Sequence, residues 1–460
     1  MKRSTNALLG RTKCVLAFIL ALVIFFVYFL MGRTSLVQGI NEDTDQLKKS
    51  TLEKMYRKET VEGTILDANG IVLSEGKEPG KEGVLTYPEA YSWLLGYNSP
   101  VYGTYGLRGK YESYLFMQDE AKKGADIRLT IDHEIQEKAF HLIRGMNASM
   151  IVMDAKTGKL LALASARPEE FNANELAEGM ETWNQIDGYF LPNGYKDLAE
   201  PGSTFKVVTA AAMLENNMED REILDEGEAM LENHPVVNFR KKALGKTDLE
   251  KALGRSSNIY FASMALEMGG EALESKMQDF LIGSPLKLDF TTLESYYDLG
   301  NYDKNLIMDA GFGQGKTLMT PLHTAMILQS IDNKGSMMRP YMIDTITLGN
   351  EELYKGTPEK IGEPLTRQEA AQLGKLLKTT AEEYYGMDKY GIGAKSGTAE
   401  ISGGMTKSYL AACNEDYVVV AAKTAADGFG ADFKETVLEM YDWLYESERC
   451  SGRGNTNMIK

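Results

Sequence analysis

Apolar residues first gather in one unbroken block. Residues 14–31 (Cys-Val-Leu-Ala-Phe-Ile-Leu-Ala-Leu-Val-Ile-Phe-Phe-Val-Tyr-Phe-Leu-Met) carry no charge, and a run of that length spans a bilayer as a helix. Lys2, Arg3, Arg11 and Lys13 precede it, while Arg33 is soon followed by Glu42, Asp43 and Asp45. The positive-inside rule then puts residues 1–13 in the cytoplasm and the remainder outside. A cleaved signal peptide competes with this reading. The block is longer than the usual apolar core of such a peptide, and Met31-Gly32-Arg33-Thr34-Ser35 offers no small-x-small cleavage site. An uncleaved anchor is favoured.

Beyond the anchor the pattern becomes mixed. Residues 32–58 are mostly polar, with Leu47, Leu52 and Met55 at helical spacing, and read as a juxtamembrane linker. A hairpin follows at 63–67 and 71–74, turning near Asn69-Gly70. The stretch 77–123 is rich in Gly and Tyr without clear periodicity, so 59–125 is expected to be a small irregular module. Residues 127–131 predict a strand, and Asp132 predicts the cap of a helix with Ile135, Ala139 and Leu142 on one face. A second hairpin is predicted at 149–154 and 159–164, turning at Lys156-Thr157-Gly158. Mainly helical sequence runs to about residue 333, strand-like segments return at 341–348, and 417–422 reads as a buried strand. A last helix at 431–447 presents Val437, Met440, Tyr441 and Leu444 on its apolar face. Strands, a helical block, then strands and a helix predict an α/β (α+β) domain over 126–449, its sheet built from both ends, with a tail at 450–460.

Composition narrows the function. A net charge of −16 with a pI near 5.0 argues against nucleic acid as a partner. The cysteines Cys14, Cys413 and Cys450 have no metal or redox spacing, and His133, His141, His234 and His323 form no ligand cluster. Neither a metal nor another cofactor is expected.

Candidate chemistry begins at Pro201-Gly202-Ser203-Thr204-Phe205-Lys206, which opens an alanine-rich apolar helix. Ser203 falls near the helix N-terminus, where free N–H groups favour developing negative charge. Lys206 lies three residues on, on the same face, and a desolvated lysine can take a serine's proton. The spacing alone is weak, because Ser74-Glu75-Gly76-Lys77 and Ser284-Pro285-Leu286-Lys287 repeat it without opening a buried helix. A capping serine with a solvated lysine is the plain alternative. Ser256-Ser257-Asn258 adds a second hydroxyl and an amide, able to relay a proton and hold a carbonyl, or simply to cap a helix. Late in the chain, Lys395-Ser396-Gly397-Thr398 offers a cation and hydroxyls for a carboxylate, with Gly397 permitting close backbone approach. Lys156-Thr157-Gly158 is a similar triplet in the wrong order.

In this order, Ser203-x-x-Lys206, Ser256-x-Asn258 and Lys395-Ser396-Gly397 resemble the three motifs of the penicillin-recognising serine enzymes. The surrounding stretches, from about residue 60 to 445, are similar to class B penicillin-binding proteins, the monofunctional peptidoglycan transpeptidases. They include Gly63-Thr64-Ile65-Leu66-Asp67-Ala68-Asn69-Gly70, Leu129-Thr130-Ile131-Asp132, and Gly313-Gln314-Gly315 with Thr320-Pro321. The resemblance implies a β-lactamase-like fold, an antiparallel sheet flanked by helices with an all-helical subdomain, beside a pedestal at 59–125. It implies that Ser203 is acylated by stem peptides ending in D-Ala-D-Ala, with Lys206 as base and Ser256 as proton relay. Asn258 would hold the substrate amide, and Lys395, Ser396 and Thr398 its carboxylate. Backbone N–H groups of Ser203 and Thr398 would form the oxyanion hole. β-Lactams would acylate Ser203. Separately, the expected anchor and the absence of a glycosyltransferase-sized segment in the sequence point to a polytopic membrane glycosyltransferase as a partner.

Three departures stand out. Glu62 and Ala68 occupy pedestal positions where the family usually has arginine, the interval to Leu129 is short, and Ser408-Tyr409-Leu410-Ala411-Ala412-Cys413 is a weak match for the aromatic strand after the third motif. Among competing functions, a serine β-lactamase lacks a convincing glutamate for deacylation here. A D,D-carboxypeptidase and a non-catalytic sensor or divisome scaffold share the fold. The intact motif residues argue against the last.

Overall fold

The computed structural model describes residues 57–426 and 428–450. The tail at 1–13, the apolar block at 14–31, most of the linker at 32–58 and nearly all of the tail at 450–460 lie outside them. Among the described residues no helix is long and apolar enough to cross a membrane.

The first hairpin forms as β1 (Ile65–Leu66) and β2 (Val72–Glu75), with Asp67 accepting from the N–H groups of Asn69 and Ile71 at 2.8 and 2.7 Å. Asx turns of this kind suit Asp before Asn-Gly, and Gly70 takes the left-handed φ of 91° that the turn requires. After β3 (Val84–Leu85), the stretch without periodicity contains α1 (Pro88–Leu95), almost wholly buried and therefore lacking a polar face to betray it. The next strand, β4 (Asp126–Leu129), runs parallel to β1, pairing Ile65 with Ile127. The border expected at 125–126 thus runs through a sheet, and residues on both sides share one core cluster.

Asp132 caps α2 (His133–Ile143) by accepting from Glu134 and Ile135 N–H at 3.0 and 3.3 Å. The second hairpin is β5 (Ala148–Asp154) and β6 (Leu160–Ala166), and Lys156-Thr157-Gly158 is its turn. The catalytic-type helix is α3 (Lys206–Glu215), followed by α4 (Leu249–Arg255), α5 (Asn258–Met268) and α6 (Pro321–Asp332). This helical block is not all-helical. Two ribbons interrupt it: Glu228–Leu231 with His234–Val237, and Ile223–Asp225 with Gly245–Thr247. Strands of three or four residues with one half-buried face are too short to show a period.

The segment at 341–348 forms β7 (Ile343–Leu348), and β8 is Glu351–Lys355. These join the first hairpin rather than the main sheet, in the order β8-β7-β4-β1-β2-β3. After α7 (Arg367–Thr379) come β9 (Gly393–Ile401), β10 (Met405–Cys413) and β11 (Tyr417–Ala425). The main sheet is antiparallel, β9-β10-β11-β5-β6, and draws on both ends of the domain as expected. Its central strands are buried on both faces, with α2 and α8 (Lys434–Cys450) packing together on one side and α6 on the other. Val437, Met440, Tyr441 and Leu444 are the buried face of α8, and each such side chain contributes roughly 1.5–3 kcal/mol on leaving water. The weakly matching stretch 408–413 lies in a full central strand, ending at Cys413, a buried free thiol. Most important for chemistry, β9 is an edge strand.

Candidate active site

Ser203 sits in a 3-10 turn (Gly202–Phe205) that runs directly into α3. Two close approaches fix this turn against the sheet edge. Gly202 has φ of 54°, and a Cβ there would stand 2.7 Å from the Thr398 carbonyl oxygen. A Cβ on Gly397 would stand 2.9 Å from the Pro201 carbonyl oxygen. The neighbour that demands glycine at 397 is therefore the chain's own serine turn. Gly202 N–H also donates to Gly313 O at 2.9 Å, and Thr204 Oγ1 to Pro201 O at 2.8 Å, so Ser203 is held from three sides.

Lys206, fully buried, is the hub. Its Nζ lies 2.7 Å from Ser203 Oγ, 2.7 Å from Asn258 Oδ1, 2.9 Å from Ser256 O and 3.2 Å from Ser256 Oγ. Burial first, and then the charge of Lys395, push this amine well below its usual 10.5, opposed by Asp225. A neutral amine has two hydrogens and one lone pair. In that form Asn258 Oδ1 and the Ser256 carbonyl, which can only accept, would take both hydrogens and leave the lone pair for Ser203 O–H.

Ser256 ends α4 in the left-handed region, at φ 59°, an unfavourable conformation for a residue with a side chain. A buried lattice holds it there. Ser257 caps α5 through Tyr260 N–H at 3.0 Å and donates to Asp225. Asp225 also accepts from Asn238 Nδ2 at 2.8 Å, and Asn238 Oδ1 accepts from Asn258 N–H at 2.8 Å. The cap is thus Ser257, which frees Ser256 and Asn258 for the cleft. Asn258 Nδ2 gives one hydrogen to Val237 O at 2.8 Å and keeps another.

Lys395, Ser396, Gly397 and Thr398 lie on β9, the sheet edge beside this cluster, and Lys395 reaches into it. Lys395 Nζ donates to Ser256 Oγ at 3.1 Å, Tyr385 Oη at 3.3 Å and Ser396 O at 2.7 Å, which commits all three hydrogens. Ser396 and Thr398 are half-buried beside it, and Thr398 Oγ1 accepts from Gly430 N–H at 3.2 Å. Every predicted site residue is therefore in one cluster around two lysines. Beyond it, Phe239 and Phe429 meet edge to face with centroids 5.3 Å apart, one following Asn238 and the other preceding Gly430. Tyr385, Asp225, Asn238 and Ser257 were not foreseen. Among the described residues no group of His, Cys, Asp and Glu is placed to hold a metal ion.

The profile of the penicillin binding protein transpeptidase domain matches residues 148–428. The chain belongs to that family. It is 26% identical over 376 residues to penicillin-binding protein 3 of Bacillus subtilis, covering 78% of this chain and 52% of that protein. It is 25% identical over 359 residues to peptidoglycan D,D-transpeptidase PbpA of Mycolicibacterium smegmatis, covering 68% of this chain and 71% of that one. The chain thus spans about half the length of the Bacillus relative. Among solved structures, the D,D-transpeptidase domain of a peptidoglycan glycosyltransferase from Eggerthella lenta superposes with a TM-score of 0.76 at 27% identity. That match covers 84% of this chain and 99% of that one. The penicillin G acyl-enzyme of Mycobacterium tuberculosis penicillin-binding protein A shares the fold at 22% identity, with a TM-score of 0.76 over 83% of this chain and 99% of that one. These similarities place this family member with the class B penicillin-binding proteins.

One departure now has a physical form. In this penicillin-binding protein Glu62, just before the first hairpin, is buried and ion-paired with Arg108 at 2.8 Å. The decoy Ser74 lies on β2 and opens no helix.

Proposed function

We propose that this protein is a membrane-anchored serine D,D-transpeptidase that cross-links peptidoglycan stem peptides through an acyl-enzyme on Ser203 and is inhibited by β-lactams. The carrying observation is the 2.7 Å contact between Ser203 Oγ and a buried Lys206 whose hydrogens have other acceptors. Ser203 Oγ attacks the penultimate D-Ala carbonyl carbon and its proton passes to Lys206 Nζ. The oxyanion is received by the N–H groups of Ser203, at a helix start, and of Thr398, on the open side of the edge strand. Ser256 Oγ, within reach of both lysines, relays a proton to the departing D-Ala nitrogen as the C–N bond breaks. The spare hydrogen of Asn258 Nδ2 holds the substrate's amide carbonyl. Ser396 and Thr398 hydroxyls take the terminal carboxylate, with Lys395 supplying charge from behind.

An amine of a second stem peptide then attacks the ester and Ser203 leaves with its proton restored. The names of the relatives, peptidoglycan D,D-transpeptidases, support an amine rather than water as acceptor. The charge-free block at 14–31 supports the anchor, with the catalytic domain outside and a reduced pedestal at 59–125. A polytopic glycosyltransferase in the same membrane would supply the strands to be joined.

Fluorescent penicillin should label the protein covalently, and Ser203→Ala should abolish labelling. Label persisting on another residue of that variant would overturn the assignment. Lipid-linked precursor, assayed with the co-purified glycosyltransferase, should yield close to one cross-link for each D-Ala released, whereas D-Ala release without cross-links would favour a carboxypeptidase.

A further inference from the structure

Tyr385 belongs to no motif, yet its hydroxyl touches two residues of the third one. It ends a π-helical turn, Thr380–Tyr385, that widens the last turn of α7. Gly386, at φ 64°, stops the helix, and Met387 N–H returns to Ala381 O at 2.8 Å. The neighbouring Tyr384 ties the same turn to the other half of the site. Its ring would lie 2.4 Å from a Cβ on Gly254, and the Arg255 guanidinium sits over it at 4.8 Å, immediately before Ser256. The turn therefore bridges the end of α4 and the edge of β9. Widened turns of this kind often accompany function.

The hydrogen count around Tyr385 Oη decides what it does. Ser396 N–H donates to it at 3.1 Å, because β9 is an edge strand and this N–H has no strand to meet. Lys395 Nζ donates to it at 3.3 Å. Both are obligate donors and together they occupy the oxygen's lone pairs. The third neighbour, Ser396 Oγ at 2.8 Å, must then accept the phenolic hydrogen. With an acceptor position of Ser396 Oγ filled this way, its own hydrogen is not spent on Tyr385, and on a half-exposed side chain it stays available to a ligand in the cleft. Electrostatics agrees: burial alone would raise the Tyr385 phenol, but the Lys395 charge and the bonds from Ser396 and Lys395 outweigh it and hold the group below its ordinary 10.

We propose that Tyr385 is a positioning residue that fixes the Ser396 hydroxyl as a hydrogen-bond donor to the substrate's terminal carboxylate. The inference rests on the carboxylate-binding reading of Ser396 given above. It also explains why a hydroxyl rather than a second cation faces the ligand. Lys395 has no hydrogen left to give, so a donor aimed by its neighbour does the recognising.

The test compares benzylpenicillin, which carries the carboxylate, with its methyl ester. Second-order acylation of Ser203 is measured for wild type, Tyr385→Phe, Ser396→Ala and the double variant. Tyr385→Phe should slow benzylpenicillin about ten-fold and leave the ester unchanged, the size expected for losing one oriented bond to a charged group. In the Ser396→Ala background, Tyr385→Phe should add nothing. Equal slowing of both ligands would mean general damage to the site and overturn the proposal, as would an unchanged benzylpenicillin rate. A wild-type enzyme that is labelled but takes both ligands equally would overturn the carboxylate reading beneath it, and one that is not labelled would overturn the acyl-enzyme itself.

Discussion

A lysine proposed to accept a proton works only in its uncharged form, and the surroundings of Lys206 favour that form. Burial in the first turn of α3 disfavours its ammonium form, and the Lys395 charge beyond Ser256 disfavours it further. The neutral fraction rises as pH climbs through the folded value, so acylation by penicillin should rise over the same interval, well below 10.5. Replacing Lys395 by Met removes a like charge and should move that rising limb to higher pH. Stopped-flow acylation across pH checks this, and the position of the limb is read apart from its height, which falls because carboxylate binding also suffers. A limb that stays in place would show that Lys395 does not tune the base. Gly397 argues at the same scale. A methyl group there meets the Pro201–Thr204 turn at 2.9 Å, so Gly397→Ala should displace Ser203 and cut acylation at least ten-fold, with far less change in melting temperature than in rate.

Between α4 and α5 the chain makes a turn that its own residues would not choose. Ser256 pays no ordinary helical role; it stands in the left-handed region because Ser257, Asp225 and Asn238 brace the turn from below. Asp225→Ala would leave the Ser257 hydroxyl, an Asn238 amide hydrogen and Gly227 N–H without their acceptor. The expected loss is roughly 3 kcal/mol by urea unfolding, with slower acylation because Ser256 and Asn258 drift together. Asp225→Asn keeps the shape and should cost less. These elements also show which parts of the site can be read from a sequence. Ser203 with Lys206, Ser256 with Asn258, and Lys395 with Ser396 are legible because proton transfer needs fixed residue types a fixed few positions apart. Asp225, Asn238 and Tyr385 are not, since each reaches the site only through tertiary approach of a short ribbon or a helix end. The same holds for the fold. The long buried strands and capped helices were readable, whereas α1, lacking a polar face, and the three- and four-residue ribbons were not.

Across the whole molecule one core links the hairpin module to the transpeptidase domain, running from Ile65 and Trp93 through Val420 to Leu444. Helix α6 crosses beneath the main sheet within it and carries a titratable group in the interior. His323 is buried, its Nε2 2.7 Å from Phe280 O and its Nδ1 2.7 Å from Ser295 Oγ. A carbonyl can only accept, so Nε2 bears the hydrogen and Ser295 donates to Nδ1. Protonating Nδ1 would break that second bond inside the core. Burial accordingly lowers the histidine from 6.5 to about 4, with the Phe280 carbonyl opposing. Above 6.5 both folded and unfolded chains hold it neutral; between 6.5 and about 4 only the unfolded chain takes up the proton, so stability falls as pH drops through that window. The loss from this one group is on the order of 2 kcal/mol at pH 5. His323→Gln keeps a donor for Phe280 O and removes the titration. The variant should be less stable at neutral pH but should lose less between pH 7 and pH 5 than the wild type does, measured by urea unfolding at each pH. Parallel curves for the two proteins would show that the acid sensitivity of the core lies elsewhere.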